Sequence, residues 1–462
     1  MYNNIQYKIH FHNITLLVNL ITDISCFNHP LDKLLSNFFH HNRKLGQQER
    51  FVIAETSYVF IKHYHQLQHI YQEYLNNNNK LYISSKEIFF ILYIWYKICK
   101  INITITNASP AIINLINSII QYKHKNDNLA LTNSYNNIAN LQLITEFPLW
   151  LIDLLKVQYS ITEFIKLAQA MQQVAPLDLR VNTIKTNKKS CLAKLMQDNI
   201  KADITKFSPY CLRITDKTSL IKHKLLQDGF LEVQDEGSQL AALLLKPKRG
   251  DTVVDFCSGS GGKALMFGML MHNTGRIYAF DINAARLDKL TPRLKRSGLS
   301  NIVPQVILHE NDNKIKKLYN KIDRVFVDAP CTGLGTLRRN PDLKFRQNIT
   351  SLVKLNSTQL SILNAASKLL KINGYLVYAT CSILYQENQA IIQQFLLDNH
   401  DFKLINAIKF LDIDGLNLYN TIDNKTNSNI DNNCLILLPH IHQTDGFFAA
   451  VLQKISIEQQ LC

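Results

Sequence analysis

The sequence predicts an α/β protein in which a doubly wound, mostly parallel sheet follows a helical domain and a small α/β adaptor. Three observations predict it. From Gln234 onward, short apolar runs alternate with amphipathic stretches, the pattern of strands covered by helices. One of those runs, Thr252 to Phe256, enters a glycine-rich turn and then a helical stretch, Ala264 to Met271, the strand–turn–helix unit that cradles nucleotide-like ligands. Before residue 140 the apolar residues recur instead at helical spacing, with almost no proline or glycine between them.

A chain of 462 residues is too long for one ordinary core and predicts two or three domains. A hydrophobic share of 46% excludes a wholly disordered or collagen-like chain. The net charge of +15 points to a polyanionic partner, with RNA or DNA first, because basic surface releases counterions from a phosphate backbone. Many basic proteins bind no nucleic acid, so a site has to decide. The nine cysteines are odd in number and contain no C-x-x-C pair, which argues against a zinc ribbon or a disulfide framework and for reduced, cytoplasmic thiols. No metal site is expected. The apolar stretch Ile14 to Ile21 is interrupted by Asn19 and reads as no signal peptide. The run Ile88 to Tyr96 falls short of the roughly 20 residues that span a bilayer and reads as a buried helix.

Residues 1–145 form the expected helical domain. Leu31, Leu34, Leu35, Phe38 and Phe39 keep i, i+3, i+4 spacing, and Val52 to Leu67 continues it after a break at Gly46. The asparagines at 76–79 mark a loop, and the break at 107–110 can cap a new helix. His63 and His65 lie two apart on a helix, point to different faces, and read as core or surface histidines. Residues 146–235 mix short helices and extended pieces into the adaptor. Residues 236–462 form the sheet domain, ending in two late strands, Cys434 to Leu438 and Phe447 to Leu452, that read as a terminal antiparallel hairpin. The Asn-rich stretch 420–433 reads as a solvated loop.

The candidate chemistry lies at strand ends. Cys257, Ser258, Gly259, Ser260, Gly261, Gly262 and Lys263 form the turn, whose glycines admit a ligand close to backbone and whose helix start presents unpaired N–H groups. The next strand, Ile277 to Phe280, ends in Asp281, an acid placed to hold two ribose hydroxyls. That position suits NAD as well as S-adenosylmethionine, although the glycine spacing departs from the usual dinucleotide pattern. Asp312 follows the third strand and is a further candidate contact, with a plain loop acid as the competing reading. Two later strands run into Asp328-Ala329-Pro330-Cys331 and Thr380-Cys381-Ser382. Carboxyl ends of parallel strands converge beside the ligand crevice, so Cys331 and Cys381 are expected to meet at one substrate, a pair with no evident use in a dehydrogenase, which stays as the remaining competitor.

The segment Asp328 to Arg346, DAPCTGLGTLRRNPDLKFR, together with Thr380-Cys381-Ser382 and the glycine turn, resembles the RNA cytosine carbon-5 methyltransferases of the RsmB/NOP type, and among them the bacterial 16S ribosomal RNA branch. The resemblance covers roughly residues 176 to 454. Leu45-Gly46-Gln47-Gln48-Glu49-Arg50 resembles the NusB-type RNA-binding domain of the same enzymes. It implies a class I methyltransferase sheet, S-adenosylmethionine as cofactor and ribosomal RNA as substrate; a monomer is the default expectation. It implies Cys381 as nucleophile toward carbon 6 of cytosine, Cys331 in product release, and Asp328 and Lys263 beside the base and cofactor. The chain departs from the family pattern in the turn, which reads Ser258-Gly259-Ser260-Gly261-Gly262-Lys263-Ala264 where the family usually has Ala-Ala-Pro-Gly-Gly-Lys-Thr, and at Phe345, where a tryptophan is common. Transfer RNA as substrate, or a non-catalytic RNA-binding assembly factor, are the alternatives. Arg338, Arg339, Lys344 and Arg346 are expected to meet RNA phosphates, with a solvated basic loop as the competing reading, whereas Arg286, Lys289, Arg293, Lys295 and Arg296 read as a solvated helix face or an RNA patch.

Overall fold

Helical apolar stripes need a partner surface, and the computed structural model shows where each is buried. The structure describes residues 6–77, 86–99, 102–106, 110–121, 138–215, 220–413 and 430–456. The loop expected at residues 78–79 and the Asn-rich stretch up to residue 429 lie outside them. The chain divides into two compact units, Met1–Lys156 with Arg339–Asn348, and Val157–Arg338 with Ile349–Cys462.

In the first unit, helices Phe11–Ser25, Leu31–His41, Gln47–Lys62, Tyr64–Asn77 and Lys86–Tyr93 enclose a core built on Phe60, Phe89, Phe90 and Trp95. Gly46 starts the third of these, its N–H donating to the Glu49 carboxylate at 2.8 Å, and the chain breaks at His63 before the fourth. The apolar run around Ile88 is a buried helix that passes into a π turn at Ile94–Ile98. Two short strands, β1 (Gln6–His10) and β2 (Asn102–Thr106), pair in parallel. Helical periodicity did not predict this ladder, because its β-branched signal covers only Ile103 to Thr106. Among the described residues no single helix is long and apolar enough to cross a membrane.

Arg339–Asn348 belongs to this first unit, where Lys344 is withdrawn from the expected phosphate cluster. Phe345 stacks on Phe27 at 4.4 Å between centroids and meets Tyr64 and His65 edge-on. Lys344 is 3% exposed, and burial pulls its ammonium down to about 8 against the opposing pull of Glu146. Arg346 pairs with Asp342 at 3.1 Å. The Phe345 departure is thus a packing residue in an aromatic cluster, and Lys344 is a core residue rather than a phosphate ligand.

The second unit contains two sheets. The smaller is antiparallel in the order β4 (Ala202–Ile204), β5 (Cys211–Ile214), β3 (Leu177–Val181), β6 (Leu231–Val233), with helix Lys188–Gln197 closing its core over Cys191 and Leu195. In the larger, β7 (Thr252–Asp255), β8 (Arg276–Asp281), β9 (Ile302–Val306), β10 (Ile322–Asp328) and β11 (Leu370–Thr380) are parallel in the order β9-β8-β7-β10-β11. β14 (Phe447–Lys454) lies antiparallel against β11 and pairs with β12 (Phe402–Ile405) and with β13 (Leu435–Leu437). The terminal antiparallel hairpin expected from the sequence is therefore present. Strand order reverses between β7 and β10, which opens a crevice at their carboxyl ends.

Candidate active site

Val253 and Val254 are fully buried and fix β7 in the sheet, so that the chain must turn at Cys257 to reach helix Gly262–Leu270. Gly261 makes that turn with φ +79°, and a side chain there would press to 2.2 Å from Leu290. Gly259, at φ +57°, has nothing within 4 Å of the place a Cβ would take, an open cradle against backbone. Asp281, at the end of β8, accepts from the Gly259 N–H at 2.7 Å and the Asn283 N–H at 2.7 Å. The acid expected to hold ribose hydroxyls thus also shapes the turn. Ala264 is fully buried among the helix's apolar neighbours.

Three arginines that the sequence did not mark as site residues complete this floor. Arg293 donates to the Ser260 carbonyl at 2.6 Å and to its hydroxyl at 2.9 Å. Arg293 and Arg296 share Glu232 at 2.8 and 2.7 Å. Arg180, nearly buried and pulled down to about 10 by that burial, donates to the Gly262 carbonyl at 2.7 Å and to Gln234. Arg293 and Arg296 are therefore not the solvated face that helical spacing suggested. Their partner Glu232 lies in the smaller sheet, a separation no local pattern encodes. Asp312 is a helix cap: it accepts from the N–H groups of Lys314 and Leu308 at 2.8 and 2.9 Å, which hold its carboxyl below the usual range.

At the end of β10, the Asp328 carboxylate accepts from Lys263 Nζ at 2.5 Å. Burial opposes the Lys263 charge, but Asp328, with Asp255 and Cys381 behind it, raises its pKa above the ordinary value. Asp255 is fully buried beneath this pair and is pushed up to about 7, by burial first and then by Asp328. Burial and the same carboxylates push the Cys257 thiol well up, which leaves it a neutral packing group.

The strands place the other two cysteines together. Asp328 is in register with Ala379, and three residues on from one and two from the other, the sulfurs of Cys331 and Cys381 stand 3.5 Å apart. The Gly335 N–H donates to the Cys381 carbonyl at 2.8 Å, and the Gly335 carbonyl accepts from the Gly446 N–H at 2.8 Å. The hydrogen bond to Cys381, followed by burial, raises the Cys331 thiol well above its usual range. Arg338 is buried and paired with Asp445 at 3.0 Å. It braces the loop after Cys331 and is not a phosphate contact, a second correction to the basic cluster.

This set of strand ends fits S-adenosylmethionine: an open glycine cradle, an acid at the end of the second strand, and the Lys263–Asp328 pair facing the crevice. Residues 242–453 match the family described as 16S rRNA methyltransferase RsmB/F, and residues 147–220 match its ferredoxin-like domain. A relative from Synechocystis, described as a probable ribosomal RNA small subunit methyltransferase B, is 35% identical over 67% of this chain and 67% of its own length. A human 28S rRNA (cytosine(4447)-C(5))-methyltransferase is 28% identical over 71% of this chain and 39% of its own. The crystal structure of a methyltransferase homolog protein from Pyrococcus horikoshii superposes with a TM-score of 0.57 at 26% identity, covering 69% of this chain and 99% of that one. With the thiol pair and cofactor cradle in place and these likenesses spanning both sheets, the chain belongs to the RsmB/F family of 16S ribosomal RNA methyltransferases.

Proposed function

We propose that the protein methylates carbon 5 of a cytosine in small-subunit ribosomal RNA through a covalent bond between Cys381 and carbon 6. The observation that carries the reading is the pair of sulfurs 3.5 Å apart at the ends of adjacent parallel strands. Carbon 5 of cytosine is a weak nucleophile, and a thiolate added at carbon 6 turns the ring into an enamine whose carbon 5 is electron-rich. Gly259, Gly261, Gly262 and Asp281 would hold S-adenosylmethionine, which when bound would supply the electrophilic methyl group.

The two thiols are not equivalent. Cys331 keeps the proton, because its hydrogen bond to Cys381 and its burial both disfavour the thiolate. Cys381 is the nucleophile in this reading, with Lys263 close enough to act on it electrostatically. Once Cys381 is bonded to carbon, the hydrogen bond that raised Cys331 is lost, so Cys331 gives its proton to solvent and, as the thiolate, takes the carbon-5 proton. Its removal lets the Cys381 sulfur leave. Asp328, fixed by Lys263, orients the base edge by accepting from the exocyclic amine.

The net charge of +15 supports an RNA partner, and the enzyme is read as a cytoplasmic monomer, which light scattering tests. Incubation with labelled S-adenosylmethionine and either small-subunit ribosomal RNA or transfer RNA, followed by nuclease digestion, tests the reaction. The expected product is 5-methylcytidine from the ribosomal RNA. Label in transfer RNA alone would reassign the substrate, and label in neither would refute the activity.

A further inference from the structure

We propose that Glu387 is a positioning residue that sets the spacing of the two active-site sulfurs, by binding with one buried carboxylate the residue that follows each cysteine. Glu387 is fully buried. One oxygen accepts from the Thr332 N–H at 2.8 Å and from Gln359 Nε2 at 3.0 Å. The other accepts from the Thr332 hydroxyl at 2.5 Å and from the Ser382 hydroxyl. Thr332 follows Cys331 and Ser382 follows Cys381, so a single side chain ties together two loops 50 residues apart in sequence.

The arrangement is directional. The Gln359 amide that meets Glu387 also donates to the Pro330 carbonyl at 2.9 Å, which holds the residue before Cys331 as Glu387 holds the residue after it. The Tyr378 hydroxyl donates to the Glu387 carbonyl at 2.7 Å and anchors the carboxylate's own backbone to β11. A buried carboxylate without donors would be costly, and four converging donors offset that cost only in this geometry. An acceptor-only group suits such a node, because none of the four donors has to turn away from it. The charge also adds to the forces that keep the Cys331 thiol protonated.

The consequence for catalysis rests on the two-thiol reading above, but the spacing is testable without RNA or cofactor. Phenylarsine oxide captures two thiols only when both sulfurs reach one arsenic: two S–As bonds form, and the oxide oxygen leaves as water with both thiol protons. Wild-type protein is expected to bind one equivalent that Cys331→Ala lacks. Glu387→Leu is expected to weaken that capture about tenfold, the scale of losing hydrogen bonds to a charged group, at temperatures where circular dichroism shows the fold intact. Glu387→Gln, which keeps the shape and one acceptor, is expected to restore most of it. Should Glu387→Leu fail to fold, the isosteric Thr332→Val carries the test, with a loss of roughly threefold expected. Wild-type affinity in either folded variant would overturn the proposal. Capture that follows this order in a protein that methylates no RNA would uphold the positioning and refute the functional reading instead.

Discussion

The sulfurs of Cys331 and Cys381 stand 3.5 Å apart although 50 residues separate them. Register between β10 and β11 brings them to the same depth, and the Gly335 N–H bound to the Cys381 carbonyl keeps the second loop from receding. The relationship depends on backbone approach as much as on the thiols. A Cβ on Gly335 would lie 2.0 Å from the Gly446 carbonyl oxygen and 2.7 Å from that of Cys381.

Gly335→Ala is therefore expected to destabilise the second unit by about 2 kcal/mol, the scale of a forced backbone shift in a packed site. Because the shift falls on Cys381, single-turnover methylation is expected to fall at least about tenfold. Urea unfolding and rapid-quench kinetics on the same preparation check the two numbers. Unchanged stability would mean the two glycines are not in contact.

Lys263 offsets the Asp328 charge and faces Cys381. Lys263→Met is expected to lower the methylation rate about a hundredfold, in the range of removing one preorganised electrostatic group. Iodoacetamide labelling of Cys381 near neutral pH is expected to slow in the same variant, since a cation near the thiolate is lost. Labelling at the wild-type rate would remove Lys263 from thiol activation.

The cofactor turn hangs on Arg293 and Asp281. Arg293→Met loses two hydrogen bonds to Ser260, and Asp281→Ala loses those to Gly259 and Asn283 together with the expected ribose ligand. Calorimetric titration with S-adenosylmethionine is expected to show an affinity loss of about tenfold for the first and more for the second. Equal affinity across wild type and Arg293→Met would show that the turn holds its shape without the arginine.

The first unit has a pH signature of its own. Burial pushes Glu146 up to about 7, although Lys344 and the N–H groups of His65 and Gln66 pull the other way. An unfolded glutamate titrates near 4.5. Below that pH both states hold the proton and the burial costs nothing. Between about 4.5 and 7 the unfolded state has lost it while the folded state keeps it, so stability falls as pH rises. Lys344 is protonated in both states throughout this window, because its folded value is about 8. Burial also pulls His65 down to about 4, and its contribution rises with pH over the same window and opposes that of Glu146. The Glu146 contribution is therefore read as the difference between wild type and Glu146→Gln in thermal unfolding from pH 4.5 to 7, with the variant expected to gain up to about 3 kcal/mol on wild type by pH 7. A difference that does not change with pH would remove Glu146 from the pH dependence.

Chemistry carried by residue type at a strand end was legible in the sequence. The glycine turn, Asp281, Asp328 and the two cysteines each follow a short apolar run, and the doubly wound order brings such ends together. What was not legible depends on partners far along the chain. Arg338 and Lys344 read as phosphate contacts because a run of cations carries no sign of its counter-ions, and Asp445 is 107 residues from Arg338. Arg293 looked solvated because Glu232 belongs to another sheet. Glu387 carried one local signal, an acid five residues after Ser382, but its burial under two loops follows only from tertiary packing. Asp312 caps a helix, a structural role that its place after a strand did not signal.

The most direct measurement is trapping of the protein–RNA bond. Wild type, Cys331→Ala and Cys381→Ala are each incubated with S-adenosylmethionine and small-subunit ribosomal RNA, then denatured and scored for methyl transfer and for covalently bound RNA. With Cys381 as nucleophile and Cys331 as the releasing base, Cys331→Ala accumulates a denaturation-resistant adduct, while Cys381→Ala shows neither adduct nor methylation. An adduct in Cys381→Ala, or turnover by Cys331→Ala at the wild-type rate without one, would contradict that division between two sulfurs 3.5 Å apart.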